Sequence, residues 1–114
     1  MGRFRIIIAN EPRFYREVIA AGLKLLRAHI EITVVDPADI IASVAQLQPQ
    51  LLVCSELTDS LAAASPTWIL LPIDDRDPVV FNVGGERTTS GSIEFQDLLS
   101  AIDLAEQLQP HPPI

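Results

Sequence analysis

Apolar and polar positions along this chain follow two periods, one typical of buried strands and one typical of amphipathic helices. Five short runs of mainly β-branched and aliphatic residues predict strands that are covered on both faces. Between most of these runs, apolar residues recur every three or four positions, which predicts helices with one buried face. The predicted strands are residues 3–9, 30–35, 51–54, 68–72 and 79–83, and the predicted helices are one that begins at Pro12, then 38–48, 60–64 and 93–109.

Residues with the chemistry of helix caps mark three of the predicted helix starts. Asp36 is followed by Pro37, which matches an N-cap followed by proline at the first helical position. Thr58 and Ser92 carry hydroxyl groups that can accept a hydrogen bond from the first turn of the next helix. These residues therefore predict where the helices begin.

The order of strands and helices predicts the architecture. Strand and helix alternate along most of the chain, which favours a mostly parallel sheet with helices on both faces. Five strands predict an α/β, doubly wound, flavodoxin-like sheet in the order 2-1-3-4-5. Residues 72–78, "PIDDRDP", are too few for a crossover helix, so the region between the fourth and fifth strands is expected to be irregular and to lack a normal fourth helix. The fifth strand then either runs antiparallel or forms a hairpin with "ERTTS" through Gly84-Gly85.

Length and composition indicate one domain. The 114 residues suffice for one hydrophobic core, so residues 1–109 are predicted to form the domain and 110–114, "PHPPI", a proline-rich tail. No apolar run approaches the ~20 residues of a membrane span, and the start lacks the pattern of a secretory signal. We therefore expect a cytoplasmic protein that contacts no membrane. One cysteine and two histidines cannot build a four-ligand Cys/His zinc site.

Charge is distributed unevenly along the chain. The net charge is −7, yet six of the eight Lys and Arg residues lie within residues 1–27. The acidic remainder disfavours a phosphate backbone as partner. Binding of nucleic acid by this chain alone is not expected.

Two segments resemble the receiver domains of bacterial response regulators. "RIIIANEPRFYREVIAAGL" (5–23) is similar to the first strand and helix of these domains, in which an acidic pair, a proline and an Arg-Glu follow the strand. "LQPQLLVCSEL" (47–57) is similar to their third strand, in which four apolar residues precede the phosphoacceptor aspartate. The resemblance implies a signalling domain of the two-component type.

The positions that carry the chemistry of that family differ in this chain. Where the resemblance places the Mg²⁺-binding acidic pair, the chain has Asn10 and Glu11; where it places the phosphoacceptor, Ser55; where it places a lysine, about Asn82. Mg²⁺ needs hard oxygen ligands, a serine nucleophile needs a neighbouring base, and a lysine neutralises phosphoryl oxygens. The only lysine of the chain is Lys24. We therefore expect a pseudo-receiver that has lost phosphorylation, binds no metal or cofactor, and is not an enzyme.

Two other functions would use the same strand end. In the first, Asn10, Glu11, Ser55 and Glu56 offer hydrogen bonds to a small ligand, and their acidity disfavours anions. In the second, Cys54 is phosphorylated, because "CSELTDS" resembles the cysteine-centred phosphate loops of sugar-phosphotransferase subunits. This loop has no glycine and contains two carboxylates that would repel phosphate. A lone cysteine in an apolar strand is usually a core residue.

Acidic and histidine residues elsewhere suggest metal sites but have simpler interpretations. Asp74, Asp75 and Asp77 lack the glycine and the distal glutamate of a calcium loop and predict a solvated acidic turn. His29 and His111 have no second ligand nearby in the sequence and are expected at the surface.

The first and last helices have wider apolar faces than packing on one side of a sheet requires. In a doubly wound order these two helices lie side by side on the same sheet face. The apolar surface beyond what the sheet can cover predicts a contact surface for a protein partner or for a two-fold homodimer. The alternative is that the two helices bury this surface against each other. The interface candidates are Tyr15, Leu23, Ala101, Leu104 and Leu108.

The first helix is predicted to have one apolar and one charged face. The charged face is expected to be solvated. The apolar face comprises Phe14, Val18, Ala21 and Leu25, extended by Tyr15, Ile19, Leu23 and Leu26, and the charged face comprises Arg13, Arg16, Glu17, Lys24 and Arg27.

Overall fold

Six strands and four α-helices form in the described part of the chain, which comprises residues 4–65, 67–74 and 76–108 of a computed structural model. The strands are β1 (Arg5–Ala9), β2 (Glu31–Val34), β3 (Leu51–Cys54), β4 (Thr67–Leu70), β5 (Val79–Val83) and β6 (Glu86–Ser90). The helices are α1 (Arg13–Leu26), α2 (Ile40–Leu47), α3 (Asp59–Ala64) and α4 (Phe95–Gln107), with a 3-10 turn (Pro37–Asp39) before α2. The predicted tail, 110–114, lies outside the described residues. No helix in this part of the chain is long and apolar enough to cross a bilayer.

The sheet is mixed, with the strand order β2-β1-β3-β4-β5-β6. Strands β1 to β4 are parallel to their neighbours, whereas β5 is antiparallel to β4 and β6 is antiparallel to β5. The prediction of five strands in the order 2-1-3-4-5 is therefore corrected to six strands, with β6 at the edge. The coarser prediction of an α/β fold is confirmed.

The β5–β6 hairpin explains the extra strand. Val83 pairs with Glu86, so Gly84 and Gly85 alone form the turn, with φ of +60° and +89°. Positive φ at both positions is the I′ geometry that matches the twist of a hairpin, and glycine adopts it without steric cost. Both alternatives for the fifth strand are therefore realised, since β5 runs antiparallel and also forms the hairpin. No helix forms between β4 and β5 in the described residues.

Successive residues of the central strands face opposite sides of the sheet. On one side, here called the α1–α4 side, Ile6 and Ile8 of β1 pack with residues of α1 and α4. On the other, here called the α2–α3 side, Ile7 and Leu52 pack with residues of α2 and α3. The sheet thus has one hydrophobic core on each side.

Helices α1 and α4 are neighbours on the same side, as predicted. A Cβ atom on Gly22 would lie 2.7 Å from the ring of Phe95, so the glycine lets the two helices approach. The guanidinium of Arg27 donates to both carboxylate oxygens of Asp103, at 2.8 Å each. This bidentate pair holds the pKa of Asp103 below its usual value.

The predicted faces of α1 need correction. Arg16 is buried and belongs to the inner face, not to the solvated charged face. Phe14, Val18 and Leu25 are 76 %, 49 % and 81 % exposed. The inner face of α1 consists of Arg16, Ile19, Ala20 and Leu23. Helix α1 therefore has two separate apolar faces, one in the core and one in solvent.

The five interface candidates divide between core and surface. Leu23 belongs to the core cluster of the α1–α4 side and is not available for contact at the surface, whereas Ala101 belongs to the same cluster but also lines a groove beside α4. Tyr15, Leu104 and Leu108 are 37 %, 48 % and 56 % exposed. These three are the candidates with substantial exposure.

Two of the three predicted caps are confirmed. Asp36 accepts a hydrogen bond from the N–H of Ala38, in the 3-10 turn, and Thr58 accepts one from α3. Ser92 does not cap α4, which begins later, with Glu94 as N-cap. Glu94 and Asp97 satisfy each other's backbone N–H groups in a capping box, which provides two hydrogen bonds where a serine cap would provide one.

Candidate functional site

The carboxyl ends of β1 and β3 meet at one edge of the sheet. These strands are parallel neighbours, with Ala9 opposite Cys54. The residues that follow them, Glu11 and Ser55, are therefore adjacent, and the backbone N–H of Glu11 donates a 2.7 Å hydrogen bond to Ser55 Oγ. The structure thus brings two of the predicted site residues into direct contact.

A cavity of about 690 Å³ opens beside this contact, on the α2–α3 side. This volume lies within the range of pockets that hold small molecules. Its polar lining residues are Glu11, Ser55, Glu56 and Thr58, and its remaining lining residues are Ala9, Pro12, Pro37, Ile40, Ile41, Cys54, Leu61 and Ile73. Three of the four residues predicted for a ligand pocket therefore line one cavity.

Asn10, the fourth predicted pocket residue, does not line this cavity. Its side chain is completely buried. Neither Nδ2 nor Oδ1 has a hydrogen-bond partner among the described residues. Successive residues of a strand point to opposite faces of the sheet, so Asn10 points to the same face as Ile8. That face is the α1–α4 side.

Arg16 supplies a buried positive charge near the carboxyl edge. Its Nη1 donates to the backbone oxygen of Asn10 at 3.4 Å and lies 3.7 Å from Glu11 Oε2, while its Nη2 lies 3.9 Å from Asp36 Oδ2. The helical position assigned Arg16 to the solvated face, so sequence reasoning missed this role. Arg16 lies three and seven residues before Ile19 and Leu23, and this spacing was the signal in the sequence that Arg16 shares their buried face.

Asn82 does not join the site, contrary to the prediction. It pairs with Trp68 near the amino end of β4, whereas the site lies at the carboxyl ends of β1 and β3. Strand β5 runs antiparallel, so its carboxyl end points toward the opposite edge of the sheet. The lysine position that the resemblance implies therefore has no counterpart beside Ser55.

The environment of Cys54 disfavours nucleophilic chemistry. The residue is buried, and desolvation raises the pKa of its thiol to about 12. Because the thiolate is the reactive form, a thiol with this pKa is almost entirely unreactive at neutral pH. This argues against the phosphocysteine carrier.

The acidic turn and His29 both have partners in the structure. Arg76 donates to both carboxylate oxygens of Asp74, and these hydrogen bonds hold the pKa of Asp74 below its usual value. His29 Nε2 lies 2.9 Å from Glu106 Oε1. Asp75 and His111 lie outside the described residues. Within the described ranges, no three acidic, His or Cys side chains are grouped closely enough to hold a metal ion.

Two exposed apolar surfaces contribute no residue to the cavity. One is the outer face of α1, which consists of Phe14, Val18, Ala21 and Leu25. The other is a groove of about 330 Å³ between α4 and the β5–β6 hairpin, where Leu104 lies near Phe81 and Thr88. Leu104 of α4 therefore faces the hairpin, and the two surfaces are distinct.

No protein-family model, curated protein or solved structure matches this chain. The candidate functions below consequently rest on the residues and the geometry.

Proposed function

We propose that this chain is a non-enzymatic, cytoplasmic interaction module, a pseudo-receiver with a flavodoxin-like fold that works without phosphorylation. It acts by binding a protein through the outer face of α1. The observation that carries this proposal is the exposure of Phe14 and Leu25, at 76 % and 81 %, on a helix whose opposite face is already buried. Apolar residues grouped on one exposed helix face are typical of protein contact sites.

The chemistry at the sheet edge supports the non-enzymatic part of the proposal. Ser55 Oγ accepts a hydrogen bond from the Glu11 backbone, and the Glu11 carboxylate lies near the buried guanidinium of Arg16. Lys24, the only lysine, is exposed on α1. Among the described residues, the phosphoacceptor aspartate and the lysine of a receiver site therefore have no counterpart beside Ser55.

Two measurements test the proposal. After incubation with acetyl phosphate and Mg²⁺, intact-mass spectrometry should find no phosphate adduct; an adduct that disappears in Ser55→Ala would overturn it. Any association that light scattering finds across protein concentration should be abolished by Leu25→Glu and left intact by Leu104→Glu. Association that Leu25→Glu leaves unchanged would contradict the assignment to α1.

A second candidate function is the binding of a small molecule in the cavity beside Ser55. The specific observation is the mainly apolar lining with Glu11 and Glu56 at its polar end. These carboxylates favour neutral or cationic ligands over anions. A panel of neutral and cationic aromatic compounds should raise the melting temperature of the wild type but not of Ile73→Trp, which narrows the cavity. Equal stabilisation of both proteins would place the ligand elsewhere.

A further inference from the structure

The outer face of α1 has the spacing of a coiled-coil seam. Phe14, Val18, Ala21 and Leu25 are separated by four, three and four residues, which is the alternation of a and d positions in a heptad repeat. The helix spans Arg13–Leu26, so it contains two such repeats. A solvent-facing seam of this spacing fits another helix rather than a flat surface.

We propose that α1 packs antiparallel against α1 of a second copy of this chain, forming a two-fold dimer. This inference rests on the proposed function and names the partner. In an antiparallel pair, Phe14 lies over Leu25 of the second copy, and Val18 lies beside Ala21 of the second copy. The seam is therefore its own complement, as an isologous two-fold interface requires.

The charges that flank the seam specify the antiparallel orientation. Glu17 and Lys24 are seven residues apart and therefore lie on the same flank of the seam. In an antiparallel pair these flanks face each other, so Glu17 of each copy meets Lys24 of the other. In a parallel pair, the same flank would face Tyr15 and Gly22, which carry no charge at neutral pH. Lys24 makes no ion pair with any described residue, whereas Glu17 pairs with Arg13 at 2.9 Å within the helix.

The size of the seam sets the expected affinity of the dimer. Two heptads of one helix per copy bury less surface than a standard stable interface, which is about 1,600 Å² in total. The dimer should therefore be reversible, with a dissociation constant roughly in the micromolar range or weaker.

Charge exchange across the seam tests the inference. Light scattering and analytical ultracentrifugation across concentration would compare the wild type with Glu17→Lys, Lys24→Glu and the double variant. Each single change places like charges opposite each other twice, so the dissociation constant should rise by about tenfold. The double variant restores opposite charges and should return to within a few-fold of the wild type. An equimolar mixture of the two single variants should form a heterodimer as readily as the wild type forms a homodimer.

Two controls separate the effect of the seam charges from the loss of a helical ion pair and from unfolding. Arg13→Gln removes the same intrahelical ion pair that Glu17→Lys removes but leaves the flank charges, so its dissociation constant should match the wild type. Circular dichroism verifies that each variant is folded. All of the changed residues are exposed, so folding should be retained.

Three outcomes would overturn the antiparallel dimer: a wild type that is monomeric at every concentration, single variants that associate as the wild type does, or a double variant that is not rescued. Dissociation by Leu25→Glu without any effect of the charge changes would retain α1 as the contact surface and reject this pairing. A phosphate adduct on Ser55 would instead overturn the proposed function, so the two failures are distinguishable.

Discussion

The two sides of the sheet are covered by helices of very different length. On the α1–α4 side the helices have 14 and 13 residues, and on the α2–α3 side they have 8 and 6. At 1.5 Å per residue, the first pair spans roughly 20 Å and the second roughly 9–12 Å, against roughly 13–17 Å for the parallel strands of four or five residues. The first side presents apolar residues outward and has only a groove of about 330 Å³ beside α4, whereas the second leaves a cavity of about 690 Å³ at the carboxyl ends of β1 and β3.

This difference separates two kinds of recognition on one small domain. An exposed apolar helix face suits contact with another protein. A concave, partly polar cavity suits a small molecule.

The largest expected effect compares two leucines of α1. Leu23 is fully buried, whereas Leu25 is 81 % exposed. Leu23→Ala should lower the free energy of unfolding by about 2–5 kcal/mol because it leaves a cavity in the closed core. Leu25→Ala should change it by less than about 0.5 kcal/mol while weakening association. Urea unfolding at low protein concentration measures both, and similar losses would mean that the outer face of α1 is packed within the monomer.

On the open side, Ser55→Ala should lower the free energy of unfolding by about 1 kcal/mol. The change removes the acceptor of the Glu11 N–H and leaves that donor partly buried. Chemical denaturation measures the loss. Ser92→Ala, at an exposed loop position, serves as the control and should be nearly neutral. An equally small effect of Ser55→Ala would show that water from the cavity replaces the lost hydrogen bond.

The thiol at the floor of the cavity should make stability depend on alkaline pH. Burial raises the pKa of Cys54 from its usual 9.0 to about 12 in the folded protein. The contribution of this thiol to the free energy of unfolding is fully present below pH 9. It is lost as the pH rises toward 12, because the thiol ionises in the unfolded chain before it ionises in the folded protein. Between pH 8 and pH 10 the wild type should lose roughly 1 kcal/mol relative to Cys54→Ala.

Urea unfolding of both proteins at pH 8, 9 and 10 measures this difference. The two proteins differ only at residue 54, so the effects of all other groups cancel in the comparison. Parallel pH profiles would mean that water in the cavity solvates the Cys54 thiolate and that the open side is wetter than its lining indicates.

The smallest expected effect concerns Asn10. Its side chain is fully buried, and its polar atoms have no hydrogen-bond partner among the described residues. Asn10→Val keeps the backbone oxygen that accepts from Arg16 and removes the polar group. The free energy of unfolding should therefore be unchanged or rise by up to about 1 kcal/mol. Thermal and urea unfolding measure the change, with Asn10→Ala as a control for lost volume; a loss of 1–3 kcal/mol specific to the amide would mean that its hydrogen bonds are satisfied.

Part of the candidate site could be predicted from the sequence because parallel strands place their carboxyl ends together. This rule brought Glu11, Ser55 and Glu56 to the same edge. It failed for Asn82, because the rule assumes a parallel strand and the short 72–78 segment returns the chain antiparallel. Arg16 was missed because helical periodicity shows which residues share a face but not which face meets the sheet.

The amino-acid sequence by itself determined the first five of the six strands and most of the helix starts. These follow from local periodicity, cap chemistry and residue identity, which act over a few neighbouring positions. Only the tertiary structure decided which apolar face of α1 is buried and where the cavity opens. Which face of α1 is buried depends on the polar residues at the carboxyl ends of the strands, because Glu11 and Asp36 lie near the Arg16 guanidinium there. Where the cavity opens depends on the mismatch between short helices and longer strands, which exists only once the elements have packed together.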